Sequence, residues 1–158
     1  LLCAQFLKRK LMFKKLLVAV DGSSHSIKAV KVAAELAHQL KSCIVILHVI
    51  RDLPLPKEIQ EMIQDGEVTE SRLEILKTSA EIIFERARKI AGEEGVTQIE
   101  TEISEGDPAT EIVAAAQNHH VDLIFMDTQG LSELKSMFMG SVTRKVNNLS
   151  PIHCLTVK

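Results

Sequence analysis

Residues 44–50 read IVILHVI, a run of β-branched and aliphatic residues broken only by His48. Unbroken apolarity over so short a stretch, without alternation, marks a strand buried on both faces, as in a parallel sheet. Three further runs share the pattern: LLVAV at 16–20, VDLIFM at 121–126 and IHCLTV at 152–157. The run QIETEI at 98–103 differs, because Ile99, Thr101 and Ile103 alternate with Gln98, Glu100 and Glu102. One of its faces is wet, which predicts an edge strand.

Between these runs the period changes from two to three and four. Ile27, Val30, Ala33 or Ala34, Ala37 and Leu40 form one apolar stripe. Leu73, Leu76, Ala80, Ile83, Ala87 and Ile90 form another, which Gly92 and Gly95 are expected to stop. Asp107-Pro108 predicts a third helix, with the Asp oxygen capping N–H groups and Pro where no N–H is needed. A short fourth helix is expected from about Ser141 to before Pro151. The order βαβαβαβαβ implies an α/β fold of three layers, an open parallel five-stranded sheet with helices on both faces. The long connection at 51–67, with two prolines and scattered charge, reads either as a lid over a site or as a surface excursion.

The chain has 158 residues and a formal net charge of -2, with 3% aromatics and no Trp or Tyr. Such a balance argues against nucleic acid as a partner, which needs a basic face or stacking rings. No apolar run reaches the roughly 18–20 residues of a membrane span. Cys3, Cys43 and Cys154 are far apart and form no metal-binding or redox pair, so a reducing cytoplasmic location is expected. Residues 1–12 lack the order of a signal peptide and are expected to be an N-terminal extension outside the fold, with 13–158 forming a single domain.

In open parallel sheets ligands bind beyond the carboxyl ends of the strands. The residues there are Asp21-Gly22-Ser23-Ser24 after the first run and Asp127-Thr128-Gln129-Gly130 after the fourth, followed by Gly140-Ser141-Val142. A Gly-Ser at a helix start offers backbone N–H groups, a hydroxyl and the positive end of the helix dipole, a combination suited to phosphate. The structural alternative is a turn at Gly130 and a plain N-cap at Ser141. Asp21 could accept from a ribose hydroxyl or an exocyclic amine, or could cap the following helix in competition with Ser23 and Ser24.

The segment from Met126 to Val146, with Gly130, nine residues, and Gly140-Ser141-Val142, resembles the nucleotide loop of the universal stress protein (UspA) family, Gly-x2-Gly-x9-Gly-Ser/Thr. KKLLVAVDGS (Lys14 to Ser23), LHVI (Leu47 to Ile50), Gly106-Asp107-Pro108 and PIHCLTV (Pro151 to Val157) are similar to other segments of that family, in the same order. The resemblance covers about residues 13–158. It implies a Rossmann-like sheet of the adenine nucleotide alpha hydrolase type, in the order 3-2-1-4-5. It also implies a homodimer formed through strand five (152–157) and, in one branch, binding of ATP or another adenine nucleotide, with Mg2+ as a companion. Carried over by position, Asp21 would contact the ribose or adenine, Val49 would line the adenine pocket, and Met126 and Gly130 would flank the nucleotide. Gly140, Ser141 and Val142 would hold the phosphates. The implied edge position of strand five agrees with its apolar residues Ile152, Cys154, Leu155 and Val157, which invite pairing with a second copy.

The chain departs from the family loop at its first glycine, which is Asp127. A carboxylate about 4 Å from a phosphate repels it by about 1 kcal/mol in water-like surroundings, and by more where solvent is excluded. A divalent cation would relieve this, as would a carboxylate turned to solvent. A less charged nucleotide, or none, is the remaining option. His119-His120 are expected to point apart and share no metal, and His48 and His153 to be packed or hydrogen-bonded. Lys135 and Arg144 could offset phosphate charge, but solvated charges on a helix surface are the favoured reading. No Walker-type loop is present, and no obvious catalytic base beyond Asp21 and Asp127. A regulatory nucleotide-binding module is therefore expected rather than an enzyme, with a nucleotide-free dimerisation adaptor or a slow ATPase as alternatives.

Overall fold

The computed structural model describes residues 13–51, 71–128 and 140–158. The N-terminal extension, all but Arg51 of the 51–67 connection, and Gly130, Lys135 and Cys3 lie outside the described residues. Along the chain run β1 (Lys15–Val20), α1 (Ser24–Leu40), β2 (Cys43–Arg51), α2 (Ser71–Glu93) and β3 (Ile99–Gly106). They are followed by α3 (Pro108–Asn118), β4 (Leu123–Asp127), α4 (Ser141–Leu149) and β5 (His153–Val157). The strands form one parallel sheet in the order β3-β2-β1-β4-β5, the α/β arrangement expected of the sequence. β3, with its alternating pattern, does stand at an edge.

Two apolar clusters divide the interior. On one face Leu16, Val18, Ile44, Ile46, Leu123 and Phe125 meet Ala29, Val30, Ala33, Ala34 and Ala37 of α1 and Phe84, Ala87 and Ala91 of α2. On the other Leu17, Val45, Leu47, Ile124 and Met126 meet Ala109, Ile112, Ala115 and Ala116 of α3 and Val146 of α4. Chain order dictates this division. Right-handed crossovers that move from β1 through β2 to β3 place both helices on one face, and the reversal to β4 and β5 places the next two on the other. The alanines of α1, each at most 1% exposed, let its backbone lie close to the sheet. Phe84 and Phe125, also at most 1% exposed, each contribute about 2–3 kcal/mol by leaving water.

Several boundaries differ from the sequence reading. β3 runs on through Ser104, Glu105 and Gly106 because its backbone pairs with Val49, Ile50 and Arg51, whatever the side chains. Arg51 accordingly ends β2 rather than opening the connection. His153 is exposed at the start of β5, not packed. Gly92 does not stop α2, which continues to Glu93. Gly95 makes the stop: its φ is +87°, and the Gly95 and Val96 N–H groups donate to the Gly92 and Ala91 carbonyls at 2.9 and 3.0 Å.

The two glycines therefore respond oppositely to alanine. Nothing lies within 4 Å of a Cβ on Gly92, whereas a Cβ on Gly95 meets the His38 ring at 2.6 Å in a backbone region that L residues avoid. Gly92→Ala should raise stability by about 0.5 kcal/mol and Gly95→Ala lower it by about 1 kcal/mol or more in urea denaturation. Equal effects of the same sign would show that the cap has been misassigned.

Candidate functional site

The strand order reverses between β1 and β4, so the helices that follow these two strands leave on opposite faces and a crevice opens at their carboxyl ends. Asp21 follows β1 directly and is half-buried. Its Oδ1 accepts the Ser23 N–H at 2.9 Å, closing a tight turn over Gly22, whose φ is +85°. A Cβ on Gly22 would meet Ile83 of α2 at 3.0 Å, so glycine serves both the turn and the close approach.

The competition to cap α1 is won by Ser23, whose Oγ accepts the Ser26 N–H at 3.1 Å. The same hydroxyl donates to Asp127 Oδ2 at 3.3 Å. Asp127 shares its parity along β4 with Leu123 and Phe125, both in the α1-side cluster, and its side chain is turned the same way. It is 9% exposed, which removes one of the options left open by the sequence, a carboxylate turned to solvent.

Across the crevice, α4 begins at Gly140, whose N–H donates to the Thr128 carbonyl at 2.7 Å. Gly140, not Ser141, is the N-cap, and no side chain caps the helix. Ser141 is the first helical residue and is exposed; Val142 is half-buried against the α3-side cluster. The N–H groups of this first turn point along the axis toward the crevice, and the helix dipole makes that end positive. Thr143, 4% exposed, donates from Oγ1 to the Asp127 carbonyl at 2.8 Å and ties the helix to the end of β4. Nothing in the sequence pattern singled Thr143 out; a hydroxyl in the first turn of a helix after a glycine cap was the available signal.

The remaining positions are less uniform. His48 pairs with Val20 in the sheet, so Val49 comes level with Asp21; it is half-buried on the α3 face. Met126 is 3% exposed and packs in the core, so its side chain has almost no surface to offer a ligand. His48 is held by a hydrogen bond from Nδ1 to the Val20 carbonyl at 2.8 Å.

At the rim, Asp107 caps α3 by accepting from the Thr110 N–H at 3.0 Å and from its hydroxyl at 2.8 Å. Lys145 of α4 reaches the same carboxylate at 2.9 Å. Arg144 is exposed, as the reading of it as a solvated helix-surface charge expects. The Lys145 ammonium, then the Thr110 donors, lower the Asp107 pKa from 3.8 to about 2.

At the far end of the sheet His119 does not point idly outward. Its Nε2 meets Glu102, its Nδ1 lies 3.3 Å from Glu100, and Lys15 reaches Glu100 at 3.0 Å. The face of β3 read as wet is thus partly roofed by the end of α3. Among the described residues no group of three or more His, Cys, Asp or Glu is arranged to hold a metal ion.

The universal stress protein family model matches residues 12–158 of the chain. The universal stress protein YxiE of Bacillus subtilis is 38% identical over 150 residues, covering 93% of this chain and 100% of that protein. A universal stress protein solved in complex with cAMP superposes with a TM-score of 0.69 at 23% identity, over 92% of this chain and 96% of that one. One from Archaeoglobus fulgidus, in complex with dAMP, superposes with a TM-score of 0.66 at 20% identity, over 93% and 99%. These two likenesses are of fold.

The rim ion pair can be tested apart from any ligand. A folded-state pKa below the unfolded value means that Asp107 adds stability above about pH 4, and that this is lost as pH falls through about 2. Lys145→Met should raise the Asp107 pKa toward the ordinary carboxylate value in a carboxyl-carbon NMR titration. An unchanged pKa would mean that Lys145 spends its time elsewhere in solution.

Proposed function

Because the chain belongs to the universal stress protein family, we propose that it is a regulatory module of the stress response that binds an adenine nucleotide in the crevice between β1 and β4. The observation that supports this reading is a chain of contacts at the point of strand reversal: Ser23, whose N–H Asp21 accepts, donates to the Asp127 carboxylate, and Thr143 ties the start of α4, which no side chain caps, to the Asp127 carbonyl. The positive helix end suits a phosphate, and the acid across from it suits ribose or adenine. Asp21 and Val49 would then take the nucleoside side. Gly140, Ser141 and Val142 would take the phosphate side through their backbone, with Gly130 and the backbone of Met126 beside the nucleotide. The cAMP and dAMP complexes of similar folds support an adenine nucleotide as the ligand class.

The role is regulatory rather than catalytic. Phosphoryl transfer needs metal ligands, a positioned water and a cation on the transferred group, and the lysine nearest the crevice on α4 is engaged with Asp107. The module works as a homodimer joined through β5, whose Cys154, Leu155 and Val157 are half-buried on the open edge of the sheet. We place it in the cytoplasm, where its thiols Cys43 and Cys154 would stay reduced. A nucleotide-free dimerisation adaptor is the second reading, and the buried Asp127 in place of a loop glycine favours it.

Protein purified without added ligand and then denatured should release an adenine nucleotide approaching one per chain. Recovery of none, with no thermal shift on adding AMP or ATP with Mg2+, would leave the adaptor. Conversion of added ATP to ADP at a steady rate would mark an enzyme instead. Light scattering at micromolar concentration should return twice the chain mass; a monomer would remove the role given to β5.

A further inference from the structure

Resting on the nucleotide-binding reading just given, we infer that Lys145 is a binding residue of the crevice: its ammonium exchanges Asp107 for a phosphate of the bound nucleotide, and the exchange reports occupancy to α3 by releasing the acid that caps it.

Its helix places the lysine for this. Lys145 is the fifth residue of α4, so its Cα stands about 6 Å along the axis from that of Ser141. Residues three and four apart share a helix face, which sets Lys145 on the face of Val142 and Ser141. Helical side chains lean back toward the amino end, and a four-carbon stem spans about one turn. The contact with Asp107 shows that this one does lean so. Asp107 follows β3 at the carboxyl end of the parallel sheet, where Asp21 and the first turn of α4 also lie, and its Oδ2 is 2.9 Å from the Lys145 ammonium. The ammonium therefore hangs beside the N–H groups assigned to the phosphate.

Its present partner holds it loosely. Both side chains are about half exposed, and an ion pair in such surroundings is weak and screened by salt. A phosphate monoester carries up to two negative charges near neutral pH against one on Asp107, and the dipole of α4 favours it at the same turn. Exchange needs only rotation about exposed side-chain bonds. Asp107 stays in place, because the Thr110 N–H at 3.0 Å and hydroxyl at 2.8 Å still hold its carboxylate over the start of α3. What changes is the rim, where a neutral pair joining α3 to α4 becomes a bare carboxylate. Recruiting one cation supplies only one of the requirements named above for phosphoryl transfer, so the module does not thereby become an enzyme.

The exchange leaves a signature on Asp107. The Lys145 ammonium is the main cause of its pKa of about 2, so that value follows the lysine. The exchange moves none of the other charged groups around it: Glu111 of α3, packed on Gly106, Glu105 near the end of β3, and Arg51, which pairs with Gly106 in the sheet.

The test is calorimetric titration of AMP, ATP and adenosine, in EDTA, into the full chain and into Lys145→Met and Asp107→Asn, with thermal melts confirming that each variant is folded. Methionine keeps an apolar stem and removes the charge. Asparagine caps a helix as well as aspartate does, and it frees the lysine. Lys145→Met should weaken AMP and ATP by about tenfold and Asp107→Asn should tighten them by about threefold, with adenosine unchanged in both. In a carboxyl-carbon NMR titration of the unaltered chain, saturating AMP should raise the Asp107 pKa toward the ordinary carboxylate value, and adenosine should not. An AMP affinity untouched by Lys145→Met, an adenosine affinity that falls with it as far as AMP does, or an Asp107 pKa unmoved by AMP overturns the exchange and leaves nucleotide binding standing. Failure of AMP and ATP to bind all three proteins overturns the two together.

Discussion

One hydroxyl, that of Ser23, joins three elements at the centre of the molecule. It caps α1, and it donates to a carboxylate 104 residues away at the end of β4. Its own N–H is held by Asp21, so the turn after β1, the first helix and the end of β4 are joined by one serine. A sheet covered on both faces leaves its strand ends as the place for polar chemistry, and this is the end where the two central strands diverge. The position of every crevice group follows from that junction and its counterpart at Thr143, which fixes α4 to the same strand end from the opposite face.

The fold was legible because its signals were redundant. Four apolar runs, one alternating run and the helical stripes between them admit few topologies, and the edge position of β3 could be read from Glu100 and Glu102 alone. Boundaries were less legible where the backbone decides them. β3 extends past its apolar pattern because β2 still offers carbonyls and N–H groups. Gly92 looked like a stop, yet a glycine in helical φ,ψ with open space around it is merely a weak helical residue, and the left-handed turn belongs to Gly95.

The site was legible in its residue types and much less so in its orientations. The sequence shows an acid at position 127 but not which side of the sheet it faces. That depends on strand parity at the last residue and on a serine distant in the chain. The capping of α4 by Gly140 rather than Ser141 turns on one residue of phase, which composition does not encode. Pairings such as Lys145 with Asp107, or His119 with the two glutamates of β3, arise because right-handed crossovers bring helix ends together, and no local pattern announces them.

The network around His119 has a consequence for the sheet's outer margins. β3 carries exposed Glu100 and Glu105, and Lys15 and His119 are drawn onto its glutamates, so a strand approaching there meets fixed, hydrated charge. Among the described residues, β5 carries no such guard except His153 at its very start. Under the proposed pairing through β5, a molecule whose other margin is charged takes on a single neighbour by strand addition and then has nowhere left to grow. Assembly by that route ends in a closed pair rather than an open fibre.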